Sequence, residues 1–505
     1  MLDRGRQHAT STAALCMCTF TQAYLLISVF PYAGFMVVDL VPNHTVENAG
    51  TYAGFLASSF MTGRAFSSYH WGTLADMYGR KFALCASLIM STIFSLMFGL
   101  SRSFRCAIFW RFLLGFGNSL VSTAKTAVTE LAFGNEQLER RAMGLVIGMR
   151  GWGLLIGPGL SGYLAEPLKQ YPDNQWLQNS GVWRDILAKY PFLLPNLVAV
   201  LLCLICFVTV ICFVEETLPD DERRSIKLIP HDIFCSMFRP INLGCPEEAQ
   251  QVENGESSAL LVKGSSTETI SSLIMEPSQP SRQPTIWSRG ETRRHVWLYA
   301  VFSFIVSAVD DAFPLFCMSH NGGLSLSEAK IGKVLSSAGL VFASFQYTVF
   351  AIIIDQFGMH SALKIGSILG NTIVFLIPLS LILNRNAKFD GDLTFPAYIF
   401  LTIVMGTCKV FTCLFFASLA ISANKTVPRS QRARMNGLNM VSGSIGKALG
   451  PTFAGLLISF CLSSGFIQPV HGTVLVFFTI SALGAVAVIQ TWMLYEVEEQ
   501  KQTMP

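Results

Sequence analysis

The segment Trp71–Lys81 reads WGTLADMYGRK and joins two apolar runs, roughly residues 52–71 and 82–100. Asp76, Arg80 and Lys81 stand in this link, whereas the flanking runs carry a single charged side chain, Arg64. Each run has about 20 residues, the length that an α-helix needs to cross the ~30 Å hydrocarbon core of a bilayer. The pattern predicts two membrane-spanning helices joined by a short charged turn at a membrane surface.

The same pattern recurs along the whole chain. Of its 505 residues, 51% are hydrophobic and only 13% are charged, against about 25% charged in soluble domains. The ten-residue alternation of a transmembrane barrel is absent. We predict an all-α polytopic membrane protein with twelve transmembrane helices, here called spans 1 to 12, at roughly 18–38, 52–71, 82–100, 106–128, 142–165, 192–214, 296–316, 332–354, 361–383, 395–422, 435–459 and 471–494.

Several classes of function do not fit the composition. The net charge of +4 comes without a basic tract, so nucleic-acid binding is not expected. The 13 cysteines lie mostly within the spans, as buried thiols do, and the 8 histidines never pair at metal-ligand spacing. Neither G-x-x-x-x-G-K-[ST], H-E-x-x-H nor G-x-S-x-G occurs. The sequence therefore predicts no cofactor, no metal site and no enzyme.

Residues 215–294 interrupt the apolar pattern and divide the spans six and six. This segment opens with EETLPDDERR and continues rich in Ser, Glu and Pro, a composition typical of a disordered linker. We predict an N-terminal half at 1–214, a cytoplasmic linker at 215–294, a C-terminal half at 295–494 and a cytoplasmic tail at 495–505.

The distribution of Lys and Arg predicts the orientation. The loop between spans 1 and 2 has neither residue, and nor does the loop between spans 11 and 12. The 2–3 link, the 4–5 link, the 10–11 link and both ends of the linker carry clusters of them. Because such clusters stay on the cytoplasmic side, we predict that these links and both termini are cytoplasmic.

The two halves repeat each other's signals. Asp355 and Gly358 in the 8–9 link follow the spacing of Asp76 and Gly79 in the 2–3 link. The pattern G-x-x-x-G-P occurs in span 5 and again in span 11, which predicts close helix packing and two proline bends. This duplication is typical of transporters with two related halves. The packing motif comprises Gly153, Gly157, Pro158, Gly162, Gly446, Gly450 and Pro451.

These motifs carry a resemblance to a known family. G-x-L-A-D-x-x-G-R-K in the 2–3 link, RFLLGFG in span 4 and GWGLLIGPGLSG in span 5 resemble major facilitator superfamily transporters of the drug:proton antiporter type. Longer stretches such as NGLNMVSGSIGKALGP look like the zinc-induced facilitator-like transporters described in plants. Two features of those plant proteins, an N-terminal C-P-G-C and a His-rich linker, are missing.

The resemblance implies that the 2–3 link is a gate. In the family, the motif acid pairs with a nearby base and with helix ends, and these contacts close the cytoplasmic side in one of two alternating states. A solvated turn that merely orients the helices is the alternative. The predicted gating residues are Gly72, Asp76, Gly79, Arg80 and Lys81, with Asp355 and Gly358 at the matching positions.

Charged residues inside the spans are the candidate transport site, because such charges are costly in a bilayer and usually functional. The bases outnumber the acids, which favours an anionic or zwitterionic substrate. We expect Asp311 to carry a coupling proton near Lys409 and Lys447, and Arg111 to lie where it can pair with Asp39. Structural pairing or snorkelling is the alternative for each residue. The candidates are Asp39, Arg64, Arg111, Lys125, Glu130, Arg150, Asp310, Asp311, Lys409 and Lys447.

The sequence thus predicts a secondary transporter that exports a small organic anion or zwitterion, such as a metal chelator or drug-like solute, in exchange for protons. The expected partners are membrane lipid, a small-molecule substrate and protons, and we expect a monomer in the plasma membrane or in the vacuolar or lysosomal membrane. A transporter-like receptor or sensor and a uniporter without proton coupling remain as alternatives.

Overall fold

The computed structural model describes residues 2–42, 45, 48–132, 136–179, 181–218, 223, 290–387, 391–427, 432–463 and 468–503. The described part is mainly helical and contains no strand. Most of the predicted linker lies outside it. The helix of span 7 begins at Gly290, before the expected end of the linker, and the helix of span 12 continues to Thr503, through most of the expected tail.

In the N-terminal half, spans 1 and 4 are each made of two helices. The helices of spans 1 to 6 are Leu2–Ile27 with Ala33–Leu40, Ala49–Tyr78, Arg80–Gly99, Phe104–Phe116 with Leu120–Leu131, Glu136–Leu164 and Leu193–Phe213. Three short helices, Pro167–Gln170, Gln175–Asn179 and Val182–Lys189, lie between spans 5 and 6.

In the C-terminal half, the segment Glu328–Leu369 contains the helices of spans 8 and 9, which are separated at Gly358 by a non-helical kink (φ 78°). Gly79 (φ 101°) stands at the matching bend between spans 2 and 3, so both bends use a conformation that suits glycine. Span 9 continues as Thr372–Leu376 and Leu379–Leu383. The remaining spans are Gly290–Met318 (span 7), Phe395–Lys425 (span 10), Arg432–Ser463 (span 11) and Pro469–Thr503 (span 12).

Nine helical segments of the described residues are long and apolar enough to cross a membrane on their own. Spans 2, 4 and 8 are not among them. Span 4 is divided into helices of 13 and 12 residues. The helices nevertheless reproduce the twelve predicted spans.

The two halves make contact along part of their length. We call the end with the 2–3 and 8–9 links the inner end, following the predicted orientation, and the opposite end the outer end. Among the described residues, hydrogen bonds between the halves run from the outer end to the middle of the bundle, where Gln346 of span 8 donates to the Gly148 carbonyl of span 5 at 3.4 Å. At the outer end, Ser58 of span 2 hydrogen-bonds Thr452 of span 11 at 2.8 Å. An added Cβ at Gly332 of span 8 would lie 2.5 Å from the Pro158 carbonyl oxygen of span 5. Buried side chains of both halves, such as Val37 and Phe313, share one hydrophobic cluster there.

The inner end is open. An added Cβ at Gly72, Gly144, Gly358 or Gly437 would meet nothing within 4 Å. These glycines lie toward the inner ends of their spans, and among the described residues no hydrogen bond joins the halves inward of the contact between Gln346 and Gly148. The conformation is therefore closed at the outer end and accessible from the inner end.

Candidate functional site

Four basic side chains from four different spans converge between the halves. Arg64 of span 2, Lys125 of span 4, Arg150 of span 5 and Lys447 of span 11 are close enough to interact electrostatically. Arg150 is exposed and the other three are half-buried. Each helix contributes one base, so the cluster exists only when the spans pack together.

No described carboxylate forms an ion pair with any of these four bases. Two aromatic side chains complete the wall: Tyr299 of span 7 lies near Arg64 and Arg150, and the Phe416 ring centroid is 5.8 Å from the Lys447 ammonium nitrogen. Clustered positive charge between low-dielectric walls concentrates anions. These four bases, here called the basic cluster, are therefore suited to a substrate that has an anionic group and an apolar remainder.

One acid lies beside the basic cluster. Lys409 of span 10 donates a hydrogen bond to the Asp310 carboxylate of span 7, and the two side chains are 15% and 21% exposed. Asp310 also interacts with the charge of Lys447. The sequence placed Lys409 beside Asp311, and this expectation is wrong because the helix rotation turns Asp310 toward span 10.

Asp311 lies on the other face of span 7, where the halves are closed. It is 2% exposed, and its Oδ2 has no hydrogen-bond donor among the described residues. A small cavity beside it is lined by Phe30, Pro31, Ala33, Gly34, Pro314, Leu315 and Met318. Asp311 is therefore separated from the inner opening in this conformation.

Arg111 holds the break in span 1 rather than a carboxylate. Its guanidinium donates to the carbonyl oxygens of Leu25 and Leu26 at 2.9 and 3.1 Å, which end the first helix of that span. Phe60 and Phe98 cover it, with ring centroids 4.9 and 5.5 Å away. The expected partner, Asp39, is exposed at the end of span 1. The proposed pairing of Arg111 with Asp39 is not present.

Glu130 of span 4 is in contact with the 2–3 link. Arg80 is the centre of this network: its Nη2 lies 2.8 Å from both Asp76 and Glu130, and its Nη1 donates to the Ala75 carbonyl at 2.7 Å. Thr217, just after span 6, also donates to Glu130. The buried Arg80 guanidinium thus joins the inner ends of spans 2, 3 and 4, and Glu130 adds the segment that follows span 6.

Glu216 is a member of this network that the sequence did not reveal. Its carboxylate accepts the backbone N–H groups of Arg80 at 2.7 Å and Lys81 at 3.1 Å. These N–H groups stand at the start of the span 3 helix and have no acceptor within that helix. The partial positive charge of a helix start favours a carboxylate there. The only sequence signal was an acid immediately after span 6, within a segment assigned to the linker.

The predicted gating residues differ in their surroundings. The Asp76 side chain is 69% exposed although it pairs with Arg80, and Lys81 donates to the Ile211 carbonyl of span 6 at 2.8 Å. Asp355 and Gly358 are exposed at the 8–9 link. The arginine-centred network is therefore a feature of the N-terminal half, where the sequence has Arg80.

The packing motif brings helix backbones together at most of its glycines. An added Cβ at Gly153 would overlap Ala23 of span 1, and one at Gly162 would overlap the Glu328 carbonyl of span 8. Gly446 and Gly450 lie similarly close to span 7, whereas Gly157 makes only ordinary contacts, the nearest at 3.8 Å. Pro158 and Pro451 lie inside their helices. Among the described residues, no cluster of His, Cys, Asp and Glu could hold a metal ion.

The comparisons with known proteins agree with this architecture. The model of the Major Facilitator Superfamily matches residues 12–408. Protein ZINC INDUCED FACILITATOR-LIKE 1 of Arabidopsis thaliana is 30% identical over 96% of this chain and 91% of its own length. A Major Facilitator Superfamily multidrug transporter of Aspergillus fumigatus is 24% identical over 90% of this chain and 79% of its own.

Solved structures with the same fold are more distant in sequence. A D-xylose–proton symporter aligns with a TM-score of 0.65 at 14% identity, over 96% of this chain and 97% of its own. The human organic anion transporter MFSD10 aligns with a TM-score of 0.57, also at 14% identity, over 96% and 99%. At such identities the likeness shows the fold alone.

Proposed function

The chain belongs to the Major Facilitator Superfamily, and from that premise we propose that it is a proton-coupled exporter of a small organic anion or zwitterion. As a member it is a membrane transporter with twelve spans and a small-molecule substrate. The substrate class and the exchange for protons are our proposal. The basic cluster, with no paired carboxylate among the described residues, is the observation that carries it.

The basic cluster supports an anionic or zwitterionic substrate on energetic grounds. Unpaired charges are expensive inside a membrane protein. A carboxylate, phosphate or sulfate group placed among Arg64, Lys125, Arg150 and Lys447 would offset that cost. Tyr299 and Phe416 offer an apolar surface for the rest of the molecule. A metal chelator and a drug-like organic acid both belong to this class, and the names of the relatives are compatible with either.

The ion pair of Lys409 with Asp310 supports coupling to protons. An anion that binds Lys409 or Lys447 competes with Asp310 for those positive charges. A carboxylate that loses a cationic partner binds a proton more readily. Substrate binding and protonation of Asp310 would therefore influence each other, which supports coupling to protons. The assignment of exchange rests on the resemblance to drug:proton antiporters. We assign the coupling proton to Asp310, and the prediction of a proton site at Asp311 stays as the alternative.

Alternating access would use the two ends described above. The present conformation admits substrate from the inner end and closes the outer end. We propose that the network of Arg80 rearranges when the inner end closes, and that residues 215–294 tether the halves 1–214 and 295–494. Within this proposal the protein works as a monomer in the plasma membrane or in a vacuolar or lysosomal membrane, with both termini cytoplasmic.

The proposal is tested in reconstituted vesicles with an imposed pH gradient. Vesicles with and without the protein, lumen acidic, are incubated in a metabolite extract, and the retained compounds are identified by mass spectrometry. We expect accumulation that requires the protein and the gradient, confined to anions and zwitterions. Accumulation of cations would contradict the substrate class. Equilibration without dependence on the gradient would indicate a uniporter, and absence of any protein-dependent uptake would favour a sensor.

A further inference from the structure

The outer end contains a second acidic site that the transport proposal does not use. Glu166 follows span 5 and Glu328 opens span 8, so one acid comes from each half. Both are buried, at 6% and 4% exposure. Their carboxyl groups are close enough to hydrogen-bond and repel each other as charges. We call them the outer carboxyl pair.

The hydrogen bonds of the outer carboxyl pair are incomplete. Lys169 pairs with Glu166 Oε1 at 2.7 Å, and the Gln170 amide donates to Glu328 Oε2 at 3.4 Å. Glu328 Oε1, by contrast, is buried with no donor among the described residues. A buried acceptor without a donor is costly. A proton shared by the two carboxyl groups would supply the donor that Glu328 Oε1 lacks.

The pair lies where the halves must separate for the outer end to open. Gly162, four residues before Glu166, packs against the backbone of Glu328 itself. The Gln170 amide is held in place, because it donates to the carbonyl oxygens of Gly162 and Ala165 at 3.0 and 2.7 Å. Glu166 has the left-handed backbone (φ 42°) that is uncommon for a residue other than glycine. The two carboxyl groups are therefore held together only while the outer end is closed.

We propose that the outer carboxyl pair is a proton-operated latch, which holds the outer end closed when Glu166 and Glu328 share a proton and releases it when both are ionised. This inference goes beyond the proposed function and does not depend on the substrate or on coupling. The ligand is a proton from the outer compartment.

The charges around the latch set the direction of its pH response. Lys169 faces the pair from the 5–6 loop, and its pKa is raised because the contacts with Glu166 outweigh the lowering effect of burial. Asp39 faces Lys169 from the end of span 1. Lys330, on the same helix as Glu328, forms an ion pair with Asp392, with 2.8 Å between Nζ and Oδ1. One base therefore faces two carboxyl groups of the latch, which leaves one of the two without a counter-charge.

The pH window follows from the acid that lacks a counter-charge. Burial, together with the charge of Glu166, raises the pKa of Glu328 from 4.5 to about 7. Separation of the halves would return Glu328 to water and to its ordinary value. A raised pKa in the closed state means that the closed state is fully favoured below about pH 4.5 and loses this advantage as the pH rises through the value of about 7. The closed-to-open ratio changes by up to about tenfold per pH unit in this window.

Hydrogen–deuterium exchange of the protein in lipid nanodiscs tests the latch without any substrate. Exchange is followed in the outer segments 154–164 and 328–339 between about pH 5 and pH 8.5, after correction for the intrinsic pH dependence of exchange. We expect uptake in both segments to rise with a midpoint near the pKa of Glu328. Exchange that does not change with pH would overturn the proposal.

Two amide variants and one control identify the groups responsible. Glu328→Gln supplies an N–H donor that cannot ionise, so it should hold both segments protected across the whole range. Glu166→Gln should also remove the pH response and provides a second test if the first variant does not fold. Asp392→Asn breaks an outer ion pair within one half and should titrate like the wild-type protein. If both Gln variants titrate normally, or if the control loses the response as well, the latch is not this pair.

Discussion

Lys409 of span 10 is hydrogen-bonded to Asp310 of span 7, whereas the adjacent Asp311 has no donor for its Oδ2 among the described residues. Two neighbouring acids thus have different surroundings, since successive residues of a helix point about 100° apart. One faces the basic cluster and the inner opening, and the other faces the closed interface. This difference makes each acid the control for the other.

We expect Asp310→Asn to abolish accumulation driven by a pH gradient while substrate exchange across the membrane persists, because the amide still fits beside Lys409 but cannot take up a proton. Asp311→Asn should keep gradient-driven accumulation. The measurement compares uptake under a pH gradient with counterflow at equal pH. The reverse pattern, with loss only in Asp311→Asn, would return the coupling proton to Asp311.

Lys447→Gln should weaken the binding of anionic substrates by about ten- to a hundredfold, since a hydrogen bond to a charged group contributes about 1.5–3 kcal/mol. Neutral analogues of the same substrate should lose little. Lys330→Gln, which removes a base at the outer end far from the basic cluster, is the matched control. Competition binding with paired anionic and neutral compounds measures the difference, and an equal loss for both would argue against charge recognition.

Asp76→Asn should leave stability nearly unchanged, because the side chain is 69% exposed and an exposed ion pair contributes about 0–1 kcal/mol. Transport should slow strongly, since the proposed role of Asp76 belongs to the state with a closed inner end. Asp355→Asn at the matching position should have a smaller effect, because Met359 stands four residues later where the 2–3 link has Arg80. The measurement is the rate of substrate uptake with equal amounts of each variant in the membrane. A wild-type rate for Asp76→Asn would contradict a gating role.

Glu216→Ala should destabilise the inner end of span 3, because two backbone N–H groups lose their acceptor. The loss should be about 1–2 kcal/mol, as for removal of a helix N-cap, and should lower the melting temperature. Glu215→Ala, at the exposed neighbouring residue, serves as the control. Equal melting temperatures for the two variants in detergent would show that Glu216 does not stabilise this helix.

Gly54→Val should prevent full closure of the outer end, because even a Cβ at this position would overlap the Pro451 carbonyl of span 11. Gly72→Val lies in open space at the inner end of the same helix and should not change the outer end. Hydrogen–deuterium exchange of residues 451–459 measures this closure. Higher exchange is expected in Gly54→Val alone, and unchanged exchange would mean that the spans can move apart locally without opening.

Much of the architecture could be predicted because it depends on local composition. Apolar length predicted the twelve spans, and the short link with Gly79 predicted a bend that recurs at Gly358. The prediction for span 4 was less complete. A run of apolar residues does not reveal that the helix of this span breaks near Gly117.

The candidate site was predicted only as a set of residue types. Sequence reasoning identified Arg64, Lys125, Arg150 and Lys447 as costly charges, and the structure brings these four together. It assigned Arg111 to Asp39, yet the carbonyl groups at the break of span 1 bind Arg111. That break contains Pro31, which cannot continue a helix, but no residue pattern near Arg111 indicated that its partner lies there.

Hydropathy and residue spacing were enough to predict the membrane-spanning class, the duplication and the charged link, because both are local properties and apolar segments form helices in a bilayer. Three relationships could be seen only in the folded chain: the pairing of Lys409 with Asp310, the contacts of Glu130 and Glu216 with Arg80, and the approach of Glu166 to Glu328 across the halves. These pairings depend on how far each helix is rotated and where two distant helices cross. Such quantities follow from the packing of all the spans together, not from the residues of any one of them.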